Sequence, residues 1–306
     1  MDRWRIRLGG GYLRSDKLSI AALLGAALVW GATFSLVKKA LLDADALSFL
    51  GLRFAVALIS FVAVWVWLPN RRVLLEMTSY QWGIGAATGA TLYGGFLFQT
   101  LGLRFTSIAN SAFITGLCVI MVPFLMWAGG APPRRKHTAG ALVAAAGLFC
   151  ITGADIAGVG QGDLLTLVCA LLFALHIICL GTFGRKVNVL GLFTVQLLIA
   201  TLLAVGVAVL WGGPVRWSAE VIIALGVTGV FATSVAFFLQ TWAQRHLEPA
   251  RASLWILTEP LFALGFGAAI LGEFPGSSGL VGAAIIFFGV IVAEAGERLA
   301  PRLLYV

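Results

Sequence analysis

The sequence predicts an all-α integral membrane protein: ten transmembrane helices arranged as two inverted five-helix repeats. Three observations predict it. First, 60% of the 306 residues are hydrophobic and only 11% are charged, with a mean hydropathy of +0.99; a soluble domain carries about 25% charged residues. Second, apolar stretches recur at 18–37, 47–68, 82–102, 107–128, 137–153, 163–182, 190–212, 219–241, 250–270 and 276–294. Roughly 20 apolar residues cross a bilayer as a helix. Third, marker residues of the first five stretches return in the second five. Gln99, Thr100 and Arg104 return as Gln240, Thr241 and Arg245, an offset of 141 that also relates Gly85 to Gly226, Phe96 to Phe237 and Ala109 to Ala250. Gly140 and Gly147 return as Gly282 and Gly289 at 142, and Arg53 falls opposite Gln196 at 143. Five is odd, so the second copy must enter the bilayer in the opposite sense. Inverted repeats of this kind suit transporters, whose site lies between the halves near the midplane.

The elements follow in order. Residues 1–17 form a basic tail (Arg3, Arg5, Arg7, Arg14, Lys17) with no small-residue cleavage site before the first span, so it is not read as a removed signal peptide. Residues 18–153 are the first repeat, 154–162 an outer linker, 163–294 the second repeat and 295–306 a C-terminal tail. Backbone polar groups in lipid must be satisfied internally, so each span is a helix. The third span is glycine-rich, and Gly85 and Gly89, four apart, make a close-contact stripe for a neighbouring helix. Pro123 in the fourth span and Pro260 in the ninth each free a backbone carbonyl and can kink the helix.

Charge fixes the orientation. The +8 net charge is sorted by loop: alternate loops starting with the N-terminal tail hold sixteen Lys and Arg, the others hold four (Lys38, Lys39, Arg104, Arg216), and Arg53 lies inside a span. Cytoplasmic loops hold the excess, which puts both termini in the cytoplasm of a multi-pass protein, expected in the bacterial inner membrane. Lys38-Lys39 runs against the rule. The sorting excludes a nucleic-acid-binding reading. Cys118, Cys150, Cys169 and Cys179 all fall within spans and give neither a disulfide framework nor a metal pattern; no cofactor is expected.

Candidate site residues come from the polar positions inside spans. Ser111, Thr115 and Cys118 share one helix face, as do Trp255, Glu259 and Phe262. Glu259 is opposite Cys118 at offset 141, so both stripes are expected to face a central cavity. A mid-span carboxylate is costly to bury. Glu259 therefore reads either as a cavity group for a cation or proton, or as a brace on a carbonyl freed near Pro260. Arg53 reads as a snorkelling stem, a partner of Asp43 or Asp45, or a receptor for a substrate carboxylate. Trp30, Tyr93 and Trp255 are expected aromatic walls, with Thr33 beside Trp30. His176, the mate of Thr33 at 143, reads as a packing residue or a relay. Gln99 and Asn110 at the outer mouth and Gln240 at the inner mouth are, with Arg53, candidates for gating contacts.

Taken together, the motifs resemble the drug/metabolite transporter superfamily, in its ten-helix EamA-type family. The resemblance rests on 30–34 (Trp-Gly-Ala-Thr-Phe), 52–54 (Leu-Arg-Phe), 109–117 (Ala-Asn-Ser-Ala-Phe-Ile-Thr-Gly-Leu) with Pro123, 259–261 (Glu-Pro-Leu), 271–273 (Leu-Gly-Glu) and the Gly282–Gly289 ending, over residues 18–295. The first repeat departs from it, with Gly129-Gly130-Ala131-Pro132-Pro133 in place of Leu-Gly-Glu. The resemblance implies a central cavity lined by the third, fourth, eighth and ninth helices, and movement of small metabolites, often amino acids, without ATP. The expected function is a secondary transporter or exporter of amino-acid-like or amphipathic solutes, working by alternating access. The alternatives are a lipid-facing flippase or a membrane partner protein. An enzyme is not expected, because the spans hold no HExxH, histidine pair or carboxylate pair. Substrate, direction, proton coupling, and monomer versus homodimer stay open.

Overall fold

A computed structural model describes residues 11–66, 71–152, 159–266 and 276–299. The Leu271-Gly272-Glu273 motif, most of the 154–162 linker and the outer parts of both tails lie outside these residues. Within the described residues every long element is a helix, joined by one isolated bridge between Ala44 and Val215. Seven segments are long and apolar enough to cross a membrane: Asp16–Ala40, Ala46–Trp65, Asn110–Ala128, Gln161–Lys186, Val189–Trp211, Ala219–Ala243 and Ser277–Glu294. The protein is a multi-pass membrane protein. Seven is fewer than the ten expected from the sequence. The expected third, fifth and ninth spans fall on α4 (Ser79–Gly102), α7 (Arg135–Thr152) and the pair α12 (Pro249–Ile256) and α13 (Glu259–Phe266). The first is diluted by glycine, the second starts on charged residues, and the third is broken.

Three segments are interrupted midway. The first divides at Ala32 into α1 (Gly11–Gly31) and α2 (Thr33–Ala40). Thr33 Oγ1 donates to the Trp30 carbonyl there at 2.8 Å, satisfying a group that the break releases. Another divides at Leu117 into α5 (Ile108–Gly116) and α6 (Cys118–Ala128), and α12 parts from α13 at Leu257-Thr258. Pro260 sits in the first turn of α13, where its missing N–H costs least. Pro123 lies inside α6 and is not at the break. A fourth departure is a nine-residue π-helix, Val227–Val235, between α10 (Ala219–Gly226) and α11 (Ala236–Ala243).

Small residues set the helix contacts. A Cβ on Gly89 of α4 would stand 2.5 Å from the Gln196 carbonyl of α9 (Val189–Trp211), so the two backbones touch there, as the glycine stripe suggests. α7 and α14 (Ser277–Leu299) pack antiparallel over two such points. A Cβ on Gly140 would lie 2.5 Å from the Gly289 carbonyl, and one on Gly147 would lie 2.6 Å from the Gly282 carbonyl. Between the helices, Trp30, Phe54, Phe96, Phe193 and Phe237 form the largest buried cluster. At one face of the molecule Arg251 donates Nε and Nη2 to the two Glu294 oxygens, both at 2.6 Å, and Nη1 to Asp16 at 2.8 Å. The start of α1 and the end of α14 therefore lie on the same face.

Lys38 has a structural task that explains its departure from the charge rule. Its ammonium donates to the carbonyls of Leu103 and Thr106. A cation there complements the carbonyl end of α4.

Candidate functional site

The breaks meet around one cavity of about 320 Å³. Gly31, at the first break, brings α1 onto α13: a Cβ there would lie 2.8 Å from the Glu259 carbonyl. Cys118 opens α6 and Glu259 opens α13, and both side chains line the cavity. The walls are aromatic. Trp30 packs on Phe237 at 4.9 Å between ring centroids, Phe96 on Phe237 at 5.5 Å and Phe96 on Phe173 at 5.4 Å.

The lining residues come in pairs along the sequence. Phe96 with Phe237, Gln99 with Gln240, Thr115 with Ile256, Gly116 with Leu257, and Cys118 with Glu259 are each 141 apart. Trp30 with Phe173 and Thr33 with His176 are each 143 apart. Not every lining residue is paired: Val37, Leu103 and Ile151 have no lining mate at these offsets, and neither does Arg53. It lines the cavity, whereas Gln196 is fully buried between helices.

Two ionisable side chains, one basic and one acidic, reach this space. Arg53 is 3% exposed, its Nε donates to Thr233 Oγ1 at 2.9 Å, and its guanidinium carbon lies 4.1 Å from the Phe96 ring centroid. The π-helix supports it. Thr233 Oγ1 also donates to the Thr228 carbonyl five residues back at 2.8 Å, and the neighbouring Ala232 carbonyl accepts from Trp30 Nε1 at 2.8 Å. Asp45 instead caps helix α3 (Ala46–Trp65) and pairs with Arg104, and Asp43 pairs with Arg216, each pair at 3.7 Å. Arg53 therefore neither snorkels nor pairs with those carboxylates. Neither Arg53 nor Glu259 has an ion-pair partner among the described residues.

Of the residues singled out in the sequence, the cavity gathers Trp30, Thr33, Arg53, Gln99, Thr115, Cys118, Gln240 and Glu259. Four others lie elsewhere. Tyr93 packs edge-on against Phe54, and Ser111 is fully buried behind the wall. Trp255 turns away and donates its indole N–H to Glu294 at 3.1 Å. Asn110 lies 3.5 Å from Asp163. Helical spacing identified the polar faces; Trp255 and Glu259 stand on opposite sides of the break at Leu257-Thr258, whereas Ser111 and Thr115 lie in one continuous helix, α5, and Ser111 is covered there by packing. Gln240, expected at a mouth, is 2% exposed. The sequence did not single out Phe96, Phe173 or Thr233 for the site. His176, which the offset from Thr33 marked, also lines the cavity.

The comparisons agree with this architecture. A solved structure 19% identical to the chain superposes with a TM-score of 0.76, covering 92% of this chain and 98% of that one, which shows the shared fold. A transporter from Archaeoglobus fulgidus, described only as uncharacterized, is 30% identical over 269 residues, 88% of this chain and 83% of its own length. The transporter YoaV of Bacillus subtilis, also described as uncharacterized, is 21% identical over 285 residues, 88% of this chain and 94% of its own. The family model for EamA-like transporters matches twice, over residues 17–153 and 160–294. The chain therefore belongs to the EamA-like transporter family, within the drug/metabolite transporter superfamily, and its role is that of a transporter.

Proposed function

We propose that the protein is a secondary transporter built of two inverted five-helix repeats, ten membrane-crossing segments in all, that moves small zwitterionic or amphipathic metabolites by alternating access. One observation carries the reading: Arg53 and Glu259, a base and an acid without ion partners among the described residues, line the same cavity. An intramembrane charge without a partner is expensive and marks a substrate or ion pathway. A solute bearing both a carboxylate and an ammonium meets both needs at once, with the guanidinium taking the carboxylate and Glu259 the ammonium. The apolar remainder of the solute lies against Phe96, Phe173 and Phe237.

The inverted repeat is supported by three features. The cavity lining is paired at 141 and 143, and α7 and α14 touch antiparallel through glycines that the offset of 142 interchanges. The family model also matches the chain twice. Alternating access is supported by an asymmetry between equivalent breaks. α6 packs on α12, whereas α5 and α13 have no packing of comparable extent among the described residues. The cavity is thus closed toward the face that holds Asp16 and Glu294. In the opposite state the two contacts exchange. By the loop charges, the closed face is cytoplasmic.

The test is exchange transport in proteoliposomes loaded with a labelled amino-acid mixture, comparing wild type with Glu259→Gln and Arg53→Gln at matched incorporation. Wild type should exchange zwitterions. Each variant should lose at least about tenfold in rate at limiting substrate, the scale of one lost charge-assisted contact. Normal exchange by both variants, or no zwitterion carried by wild type, would overturn this substrate assignment.

A further inference from the structure

Two buried acceptors on residues of the cavity wall have no partner among the described residues, and the hydrogen bonds around them fix which atom is left unpaired. His176 of α8 (Gln161–Thr182) is 1% exposed, and its Nδ1 lies 3.0 Å from the Thr88 carbonyl. A carbonyl cannot donate, so Nδ1 carries the proton and the neutral ring offers Nε2 as an acceptor. Nε2 is buried and unpartnered.

The second acceptor is set by a relay. Gln244 Nε2 donates to the Ile177 carbonyl at 2.9 Å, which turns Gln244 Oε1 toward Gln240. Gln240 Nε2 donates to that oxygen at 2.9 Å, leaving Gln240 Oε1 buried and unpartnered. Both chains begin on a backbone carbonyl, so neither can be reversed by flipping an amide. They meet at one seam: Ile177 follows His176, and Phe237, one turn before Gln240, packs edge-on to the His176 ring at 5.7 Å. Both residues line the cavity.

Buried polar groups are nearly always paired, and an orphan costs about 1–3 kcal/mol. Two neutral acceptors on residues of one seam ask for a donor. An ammonium is drawn to the Glu259 carboxylate instead, because uncharged acceptors compensate a cation poorly in a low dielectric.

We propose that the α8–α11 seam is a donor-reading subsite, in which His176 Nε2 and Gln240 Oε1 accept a neutral N–H or O–H group of the solute. Gln244 is a positioning residue that holds the Gln240 amide in register. The inference rests on the cavity being the substrate site, and it deepens that reading: the solute carries an uncharged amide, hydroxyl or ring N–H apart from its charged groups.

The test is calorimetric titration of the purified full chain in lipid nanodiscs with matched pairs differing by methylation of the donor. The probes are tyrosine and O-methyltyrosine, glutamine and its N,N-dimethyl amide, and the uncharged pair benzamide and N,N-dimethylbenzamide. Wild type should prefer the donor-bearing member by about tenfold or more, the cost of leaving the acceptors unpaired. The preference should collapse in Gln240→Met and in His176→Phe, and shrink in Gln244→Met, where the Gln240 amide is free to turn. A ratio of two affinities does not depend on how much protein folds, so a damaged variant still reports. A preference that survives in the first two variants reflects fit to the methyl group and overturns the subsite. Absence of any preference in wild type means that water alone occupies the acceptors, and it overturns the subsite too, as does failure of every donor-bearing probe to bind. Discrimination within the benzamide pair with no zwitterion bound would sink the zwitterion assignment and leave the subsite standing. Zwitterions bound and carried without discrimination would do the reverse.

Discussion

Arg53 shows what a single residue gains from its surroundings. Its sequence position allowed a snorkelling stem, an ion pair or a carboxylate receptor. The structure removes the first two, because the guanidinium is buried against Thr233 and the Phe96 face while Asp43 and Asp45 are engaged elsewhere; the third is the reading proposed above. Thr233→Val should therefore raise KM for carboxylate-bearing solutes several-fold, roughly the loss of one buried hydrogen bond, while Thr233→Ser keeps it near wild type. Equal KM values for the valine and serine variants in exchange assays would separate Thr233 from the site. Cys118 offers an independent probe. It lines the cavity but is 7% exposed. In a background lacking the other three cysteines, a small hydrophilic thiol reagent should label it slowly and substrate should protect it. Labelling that ignores substrate would argue against its place in the wall.

At the scale of elements, the glycines divide into those that carry a contact and those that do not. Gly147 and Gly282 meet backbone to backbone, so Gly147→Leu should cost about 1–3 kcal/mol from overpacking and lower the melting temperature in detergent. Gly83 has nothing within 4 Å of its missing Cβ. Gly83→Ala should leave the melting temperature unchanged or raise it slightly, since alanine is the better helix former. Similar melting shifts for the two variants would contradict the packing of α7 on α14. The period of the sequence revealed neither the break at Leu117 nor the π-helix. At the π-helix a distant side chain, Trp30, takes up the Ala232 carbonyl, and Thr233 takes up the Thr228 carbonyl; a partner so far away along the chain leaves no mark in the local period. Thr233 became visible only through this local change of winding.

At the scale of the molecule, the two-fold pattern predicts topology and mechanism together. Reporter fusions after residues 70 and 160 should read opposite sides of the membrane, inside and outside respectively. The same side for both would remove the inverted repeat. The Arg251 cluster with Asp16 and Glu294 braces the closed face. Arg251→Gln should speed opening there and raise uncoupled leak of a zwitterion from proteoliposomes, with an effect of a few-fold. Leak at wild-type level with an unaltered exchange rate would show that the cluster holds the helix ends and not the gate.

The sequence alone determined that this chain lives in a membrane, that it is helical, and which positions pair across its two halves. Those properties follow from composition, from the lack of water to satisfy a backbone in lipid, and from residue spacing, all of which are read along one dimension. Hence Cys118 with Glu259, Gln99 with Gln240, and Thr33 with His176 were aligned before any fold was known, and all six line one cavity. Tertiary structure decided which face of each helix looks inward. Ser111 shares a helical face with Thr115, yet it is sealed behind the wall while Thr115 reaches the cavity. Trp255 shares one with Glu259 and bonds Glu294 instead. Helical spacing places residues on a face only while the helix is continuous, and the break at Leu257-Thr258 parts Trp255 from Glu259; within the continuous α5, packing decides that Ser111 is covered and Thr115 is not.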